Sequence, residues 1–226
     1  MEFYINHDTL QKIKGIKLGI LKASDIDLAS SNPDFEREFN TIKKFLLKKF
    51  KDKRPAEDET VSLVRRMYRA VGWEPTRYRP SSEALIRRIL KGNPLYRINI
   101  AVDFGNLVSA RFHLPMGLYD TAKIIGNVTL DTGKKEETYE GINKPLIHAE
   151  NKLILKDNKG VFGNPTADSK RTSLNDNTKE ALAVFFCPYD IEDAYLDETL
   201  DLLQEYFEQF AIVDFRGIKQ YKNIAL

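Results

Sequence analysis

The spacing of apolar residues constrains this chain more than any other feature. Phe35, Phe39, Ile42, Phe45, Leu46 and Phe50 recur at three- and four-residue steps, the stripe of an amphipathic helix. Val61, Val64, Tyr68 and Val71 repeat that spacing, as do Leu85, Ile86, Ile89 and Leu90. After Asp120 the character changes to short apolar runs separated by polar turns, the layout of strands. Ahead of the helices, Ile16, Leu18 and Ile20 alternate with Lys17 and Gly19, which predicts a strand with one buried face and Lys17 and Lys22 on a wet one. Leu196, Leu200, Leu203, Tyr206, Phe207 and Phe210 predict a closing helix, and residues 212–215 a last strand. Helices and strands segregated in this way read as an α+β fold.

Local signals set the boundaries. Asn32, Pro33 and Asp34 form a helix start, with a capping side chain, a first-turn proline and an acid against the dipole. A second helix is predicted from Pro55 to Val71, ended by Gly72. Residues 1–72 thus read as a strand and a helical hairpin, and residues 73–215 as a pocket-forming core, in a single domain over 1–226. A chain of 226 residues can bury that much core. The net charge of +2 excludes a polybasic clamp, so any nucleic-acid contact must come from local clusters. Lys43, Lys44, Lys48, Lys49 and Lys51 read as a solvated helix end. Cys187 is the only cysteine, which allows no internal disulfide and points to a reducing compartment; in its apolar setting it reads as a small buried hydrophobe. The start lacks a signal-peptide layout and no apolar run reaches the ~20 residues of a membrane span, so a cytoplasmic protein is expected.

One stretch breaks the packing pattern. Pro75 and Pro80 hold Arg77, Tyr78 and Arg79 on a stiff, extended arm. Arginine forks suit phosphates, and Tyr78 and Trp73 suit base stacking. Ser81, Ser82 and Glu83 then open a helix whose first turn is an anion site, with one serine predicted as its cap. Asp103, Asn106 and Ser109 follow at three-residue spacing inside an apolar run, a polar row that must find internal partners or a ligand. Leu114-Pro-Met-Gly117-Leu-Tyr-Asp120 reads as a sharp turn in which Gly117 admits close backbone approach. After a hairpin built on residues 152–162 comes a long polar loop carrying Asp168, Arg171 and Thr172. His7, His113 and His148 have no ligand spacing, and no glycine-rich phosphate loop or nucleophile elbow occurs, so no metal and no cofactor is assigned.

Several of these blocks resemble a known family. Val102-Asp103-Phe-Gly-Asn106-Leu-Val108, Pro115-Met-Gly-Leu-Tyr-Asp120, Lys123-Ile-Ile-Gly126, Val161-Phe-Gly163 and Asp176-Asn-Thr178 occur in the order found in the B3/B4 editing module of the phenylalanyl-tRNA synthetase β chain. The segment from Trp73 to Leu85 is similar to freestanding single-module relatives, which lack a synthetase catalytic core. The resemblance implies helices packed on a mainly antiparallel sheet around a central pocket, with tRNA or aminoacyl-tRNA as partner, possession of a free amino acid site as a further option, and no membrane. It implies hydrolysis of a mischarged ester, with Asn106 and Gly163 in the pocket. Two departures stand out: Gly117 replaces the histidine of the family's Pro-Met-His-Ala-Phe-Asp block, and Asn164-Pro165 stands where the family has a glutamate. The expected catalytic groups are Asn106, Glu83 and Asp168. The expected substrate contacts are Arg77, Arg79, Ser81, Ser82, Asp103, Gly117, Gly163, Arg171 and Thr172. A non-catalytic module that binds an amino acid or tRNA is the alternative, and an interaction protein with a relict pocket ranks third.

Overall fold

The computed structural model describes residues 1–28 and 34–210 and the backbone of residues 220–221. The chain opens with β1 (Phe3–Ile5) and α1 (His7–Ile13), which the sequence reading did not anticipate. Asn6 caps α1 by accepting from the amides of Asp8 and Thr9. β2 (Ile16–Ala23) follows, then α2 (Phe35–Lys49), a 3-10 turn at Pro55–Glu57, α3 (Glu59–Ala70), α4 (Ser81–Leu90) and α5 (Ile100–Phe112). The second half holds β3 (Met116–Asp120), β4 (Val128–Thr132), β5 (Thr138–Tyr139), β6 (Ile147–His148), β7 (Leu153–Asp157), β8 (Gly160–Asn164), β9 (Ala167–Asp168) and β10 (Ala181–Pro188). It closes with α6 (Asp193–Phe210) and β11 (Gln220–Tyr221).

Among the described residues three sheets result, ordered β11-β2-β10-β3, β1-β4-β7-β8-β9 and β5-β6. Every pairing is antiparallel except β1 with β4, so the fold is α+β and mainly antiparallel. β3 also lies beside β9, which brings the edges of the two larger sheets together. One buried apolar cluster runs from Phe3 to Phe210 through both sheets and all six helices of the described residues.

The structure corrects several local expectations. β2 is buried on both faces; it lies inside the sheet between β10 and β11, and α6 packs across it. Leu196 sits so close over Gly19 that a Cβ there would meet its Cδ1 at 2.7 Å. Lys17 is therefore not on a wet face; its Nζ bonds the Ile191 carbonyl and the Asp193 carboxylate. The predicted helical hairpin is absent: α2 packs on α4 and α5, whereas α3 packs on α1 and β10. The turn predicted at residues 114–120 is largely the strand β3, paired with β10. The long polar loop contains β9, paired with β8. Residues 32–33 and the strand predicted at 212–215 lie outside the described residues.

Candidate functional site

The arm, the start of α4 and the loop after β8 meet at Pro165. The Ser81 amide donates to the Pro165 carbonyl at 3.2 Å, and the Tyr68 hydroxyl donates to the same oxygen at 3.1 Å. Tyr68 in turn stacks on Trp73, rings 4.1 Å apart and 3° from parallel. Beyond Pro165 the chain enters β9, where Asp168 accepts from the Leu118 amide of β3 at 3.3 Å. α5 reaches the same place: a Cβ on Gly105 would collide with the Met116 side chain, one residue from Gly117.

Gly117, Gly163, Tyr119 and Asp168 share the centre of this junction. A methyl group at either glycine would overlap the Tyr119 hydroxyl, and one at Gly117 would also lie 2.9 Å from Asp168 Oδ1. The space in front of Gly117 and Gly163 is thus occupied by the protein's own phenol, which is completely buried. Tyr119 Oη and Asp168 Oδ1 have no hydrogen bond of good geometry. Burial pushes the Asp168 carboxyl up to about 7, against the opposing pull of Tyr119 and the Leu118 amide. Burial, with Asp168 adding to it, drives the Tyr119 phenol well above its ordinary value. Next to them, Asn164 donates to the Tyr139 hydroxyl at 2.6 Å, and Tyr139 donates to the Ala167 carbonyl at 2.7 Å.

The remaining sequence-predicted residues divide by whether their groups are already satisfied. Glu83 is fully buried and held by Arg65 at 2.8 Å and Arg87 at 2.8 Å, with Arg79 at 3.8 Å. Ser82 donates to the His113 carbonyl at 2.9 Å and does not cap α4; the cap position is Pro80, which has no side-chain donor or acceptor. The predicted serine cap fails because Pro80 already sets the entry angle and Ser81 gives its amide to Pro165. Within the polar row, Asp103 takes the Arg97 guanidinium at 2.6 Å and the Ile98 amide at 2.8 Å, and Ser109 donates to the Leu114 carbonyl at 2.7 Å. Arg171 grips both oxygens of Asp157, at 3.0 and 2.9 Å, and the Thr172 hydroxyl is shared with Ser169. Asn106 makes no side-chain hydrogen bond among the described residues, and Ser81 Oγ is buried without a partner. Arg77 is exposed, faces the Tyr78 ring with Cζ 5.2 Å from its centroid, and has no carboxylate partner among the described residues.

Sequence reasoning missed Tyr119, although a signal was present. Residues 117 and 119 lie on one face of a strand, so reading residues 116–120 as a strand would have placed the phenol beside Gly117. No such signal marks Tyr139 or Lys152, which arrive from other elements. A cavity of about 460 Å³ opens elsewhere, between α1, α3 and the end of β10, and none of the predicted site residues lines it. Among the described residues no group of three His, Cys, Asp or Glu side chains is arranged to hold a metal ion, and no helix is long and apolar enough to cross a membrane. Cys187 is buried, its thiol pushed up to about 12 by burial.

Residues 63–201 match the family described as the B3/4 domain, a range that takes in most of α3, the arm and the whole junction. The phenylalanine–tRNA ligase beta subunit of Fusobacterium nucleatum is 29% identical over 99 residues, 42% of this chain and 12% of that protein. The beta subunit from Neisseria meningitidis serogroup B is 30% identical over 78 residues, 34% of this chain and 10% of that one. The match thus spans about a tenth of the length of these curated relatives. An N-terminal fragment of the phenylalanyl-tRNA synthetase beta-subunit from Pyrococcus horikoshii aligns with 92% of this chain and 48% of its own, at 10% identity and a TM-score of 0.47.

Proposed function

Because the chain belongs to the B3/4 domain family, we propose that it binds aminoacyl-tRNA and hydrolyses the ester of a mischarged one. The observation that carries this reading is the Asp168 carboxyl. It sits where the arm, α4, β3 and β9 converge, with one oxygen facing the Tyr119 phenol without a hydrogen bond of good geometry and its titration raised to about 7. A carboxyl near half ionisation at neutral pH suits a general base. In this scheme Asp168 takes a proton from water as the water oxygen attacks the ester carbonyl. The amide of Asn106 and the hydroxyl of Ser81, both without partners, donate to the oxyanion that forms. Collapse breaks the ester bond and expels the terminal ribose oxygen, which takes up the proton. The products are free amino acid and uncharged tRNA. Glu83 acts at a distance, gathering Arg65, Arg79 and Arg87 under the arm.

The test is release of labelled amino acid from tRNAs charged correctly and incorrectly with a panel of amino acids. The reading requires faster release than the spontaneous rate for at least one mischarged species. Spontaneous rates across the whole panel would exclude the hydrolase. A second reading, binding of tRNA or an amino acid without turnover, is favoured by one observation: Tyr119 fills the space in front of Gly117 and Gly163. Saturable binding with no release would select it.

A further inference from the structure

Lys152 is a shielded cation with no carboxylate partner among the described residues. It stands just before β7 with its backbone pinned, its carbonyl accepting from Gly133 at 2.8 Å and its amide donating to Ala149 at 3.0 Å. The residue is 8% exposed. Its ammonium lies 4.7 Å from the Tyr78 ring centroid and 5.8 Å from that of Trp73, and it donates to the His148 carbonyl. The Arg77 guanidinium lies 5.2 Å from the same Tyr78 ring. Two cations therefore share one aromatic ring. Among the described residues neither has a carboxylate within ion-pair distance.

Several other buried or half-buried cations are paired with carboxylates. Arg65 and Arg87 meet Glu83, Arg97 meets Asp103, Arg171 meets Asp157, and Lys156 meets Asp131. A shielded lysine without a counter-charge is rare, because attraction to a ring face is weaker than the cost of removing an ammonium from water. Burial lowers the affinity of Lys152 for its proton, and Lys144 and Arg77 press in the same direction. Trp73 Nε1 is also buried without an acceptor. The group missing from this arrangement is an anion with several acceptor oxygens, which an ammonium and a guanidinium fork both suit.

We propose that Lys152 and Arg77 form a phosphate subsite with Tyr78 and Trp73 as its floor. Resting on the ester-hydrolysis reading above, its occupant is a backbone phosphodiester of the tRNA end. The position fits: Trp73 stacks on Tyr68, and Tyr68 bonds Pro165, which leads to Asp168.

Uncharged tRNA keeps the test independent of hydrolysis. Binding is measured against salt concentration for the parent, Lys152→Met and Arg77→Gln. Each substitution is expected to weaken binding several-fold and to flatten the slope of log affinity against log salt by about 0.7, the release of one single-strand counterion. Lys152→Met retains the packing on the rings and is expected to melt no lower than the parent, so lost binding is not lost folding. Unchanged slopes in both variants overturn the subsite. If the parent binds no tRNA, the tRNA reading fails and inorganic pyrophosphate decides the subsite. With 13C-methylated lysines, the resonance missing in Lys152→Met should then shift saturably with pyrophosphate in the parent and not in Arg77→Gln. No shift in the parent overturns the phosphate subsite itself.

Discussion

At the scale of single residues, Asp168 and Tyr119 carry the strongest commitments. If Asp168 is the base, Asp168→Asn lowers release of mischarged amino acid by about 100-fold while tRNA binding persists. The rate also rises with pH through about 7, where the carboxyl loses its proton. The same titration affects stability. A carboxyl whose folded pKa lies above its unfolded value holds a proton that the unfolded chain has lost, so stability falls as pH rises from about 4 towards 7. Denaturant titrations should show that fall in the parent and a smaller one in Asp168→Asn. The glycines make a second prediction. A methyl group at Gly117 overlaps the Tyr119 hydroxyl, so Gly117→Ala should destabilise by about 2 kcal/mol. Tyr119→Leu should recover part of that loss, and a double-mutant cycle with no coupling between the two would refute the contact. The sequence exposed Asp168 and Gly117 as residues of interest. It did not expose that a phenol stands between them, because that follows from reading residues 116–120 as a strand.

At the scale of elements, two buried carboxylates tie helices together. Asp58 caps α3, accepting from the Val61 amide at 3.4 Å, and also meets His113 at the end of α5 at 2.9 Å and Lys49 of α2 at 3.1 Å. Burial opposes its charge, but the hydrogen bond from His113 and the ammonium of Lys49 prevail, so its carboxyl stays well below the usual range. His113 is itself buried against Phe50, and burial holds its imidazole below its ordinary pKa, so a neutral ring donating Nδ1–H to an ionised Asp58 is the consistent state. A depressed folded pKa contributes stability present above about 4 and lost as pH falls below that, as the carboxylate takes a proton. Asp58→Ala should cost about 3 kcal/mol at pH 7 in denaturant unfolding, through loss of the cap and of the buried pair. Glu83→Gln should cost a similar amount, since it leaves Arg65 and Arg87 without their shared carboxylate. The helix stripes of α2, α3, α4 and α6 were legible because each depends on its own residues. Which helix packs on which was not, and the expected hairpin of the first two gave way to α2 on α4 and α5.

At the scale of the whole molecule, the apolar cluster from Phe3 to Phe210 crosses the boundary near residue 72 without a break. Thermal unfolding should therefore be one transition, with near- and far-ultraviolet circular dichroism falling together; separate midpoints would divide the chain into two units. The arm that the sequence reads as extended closes instead into a turn, the Tyr78 amide donating to the Glu74 carbonyl at 2.9 Å. The sequence by itself determined the α+β class, most of the helix stripes, the β7–β8 hairpin and the order of blocks that marks the family. All of these rest on neighbours a few residues apart, where spacing and backbone preference act directly. Only the tertiary structure decided which polar groups remain free. Glu83, Ser82, Asp103 and Arg171 found partners, most of them in other elements, while Asn106 and the Ser81 hydroxyl make no side-chain hydrogen bond among the described residues. A hydrogen bond or ion pair between distant segments is set by how the sheets and helices pack, and no local pattern in the chain encodes it.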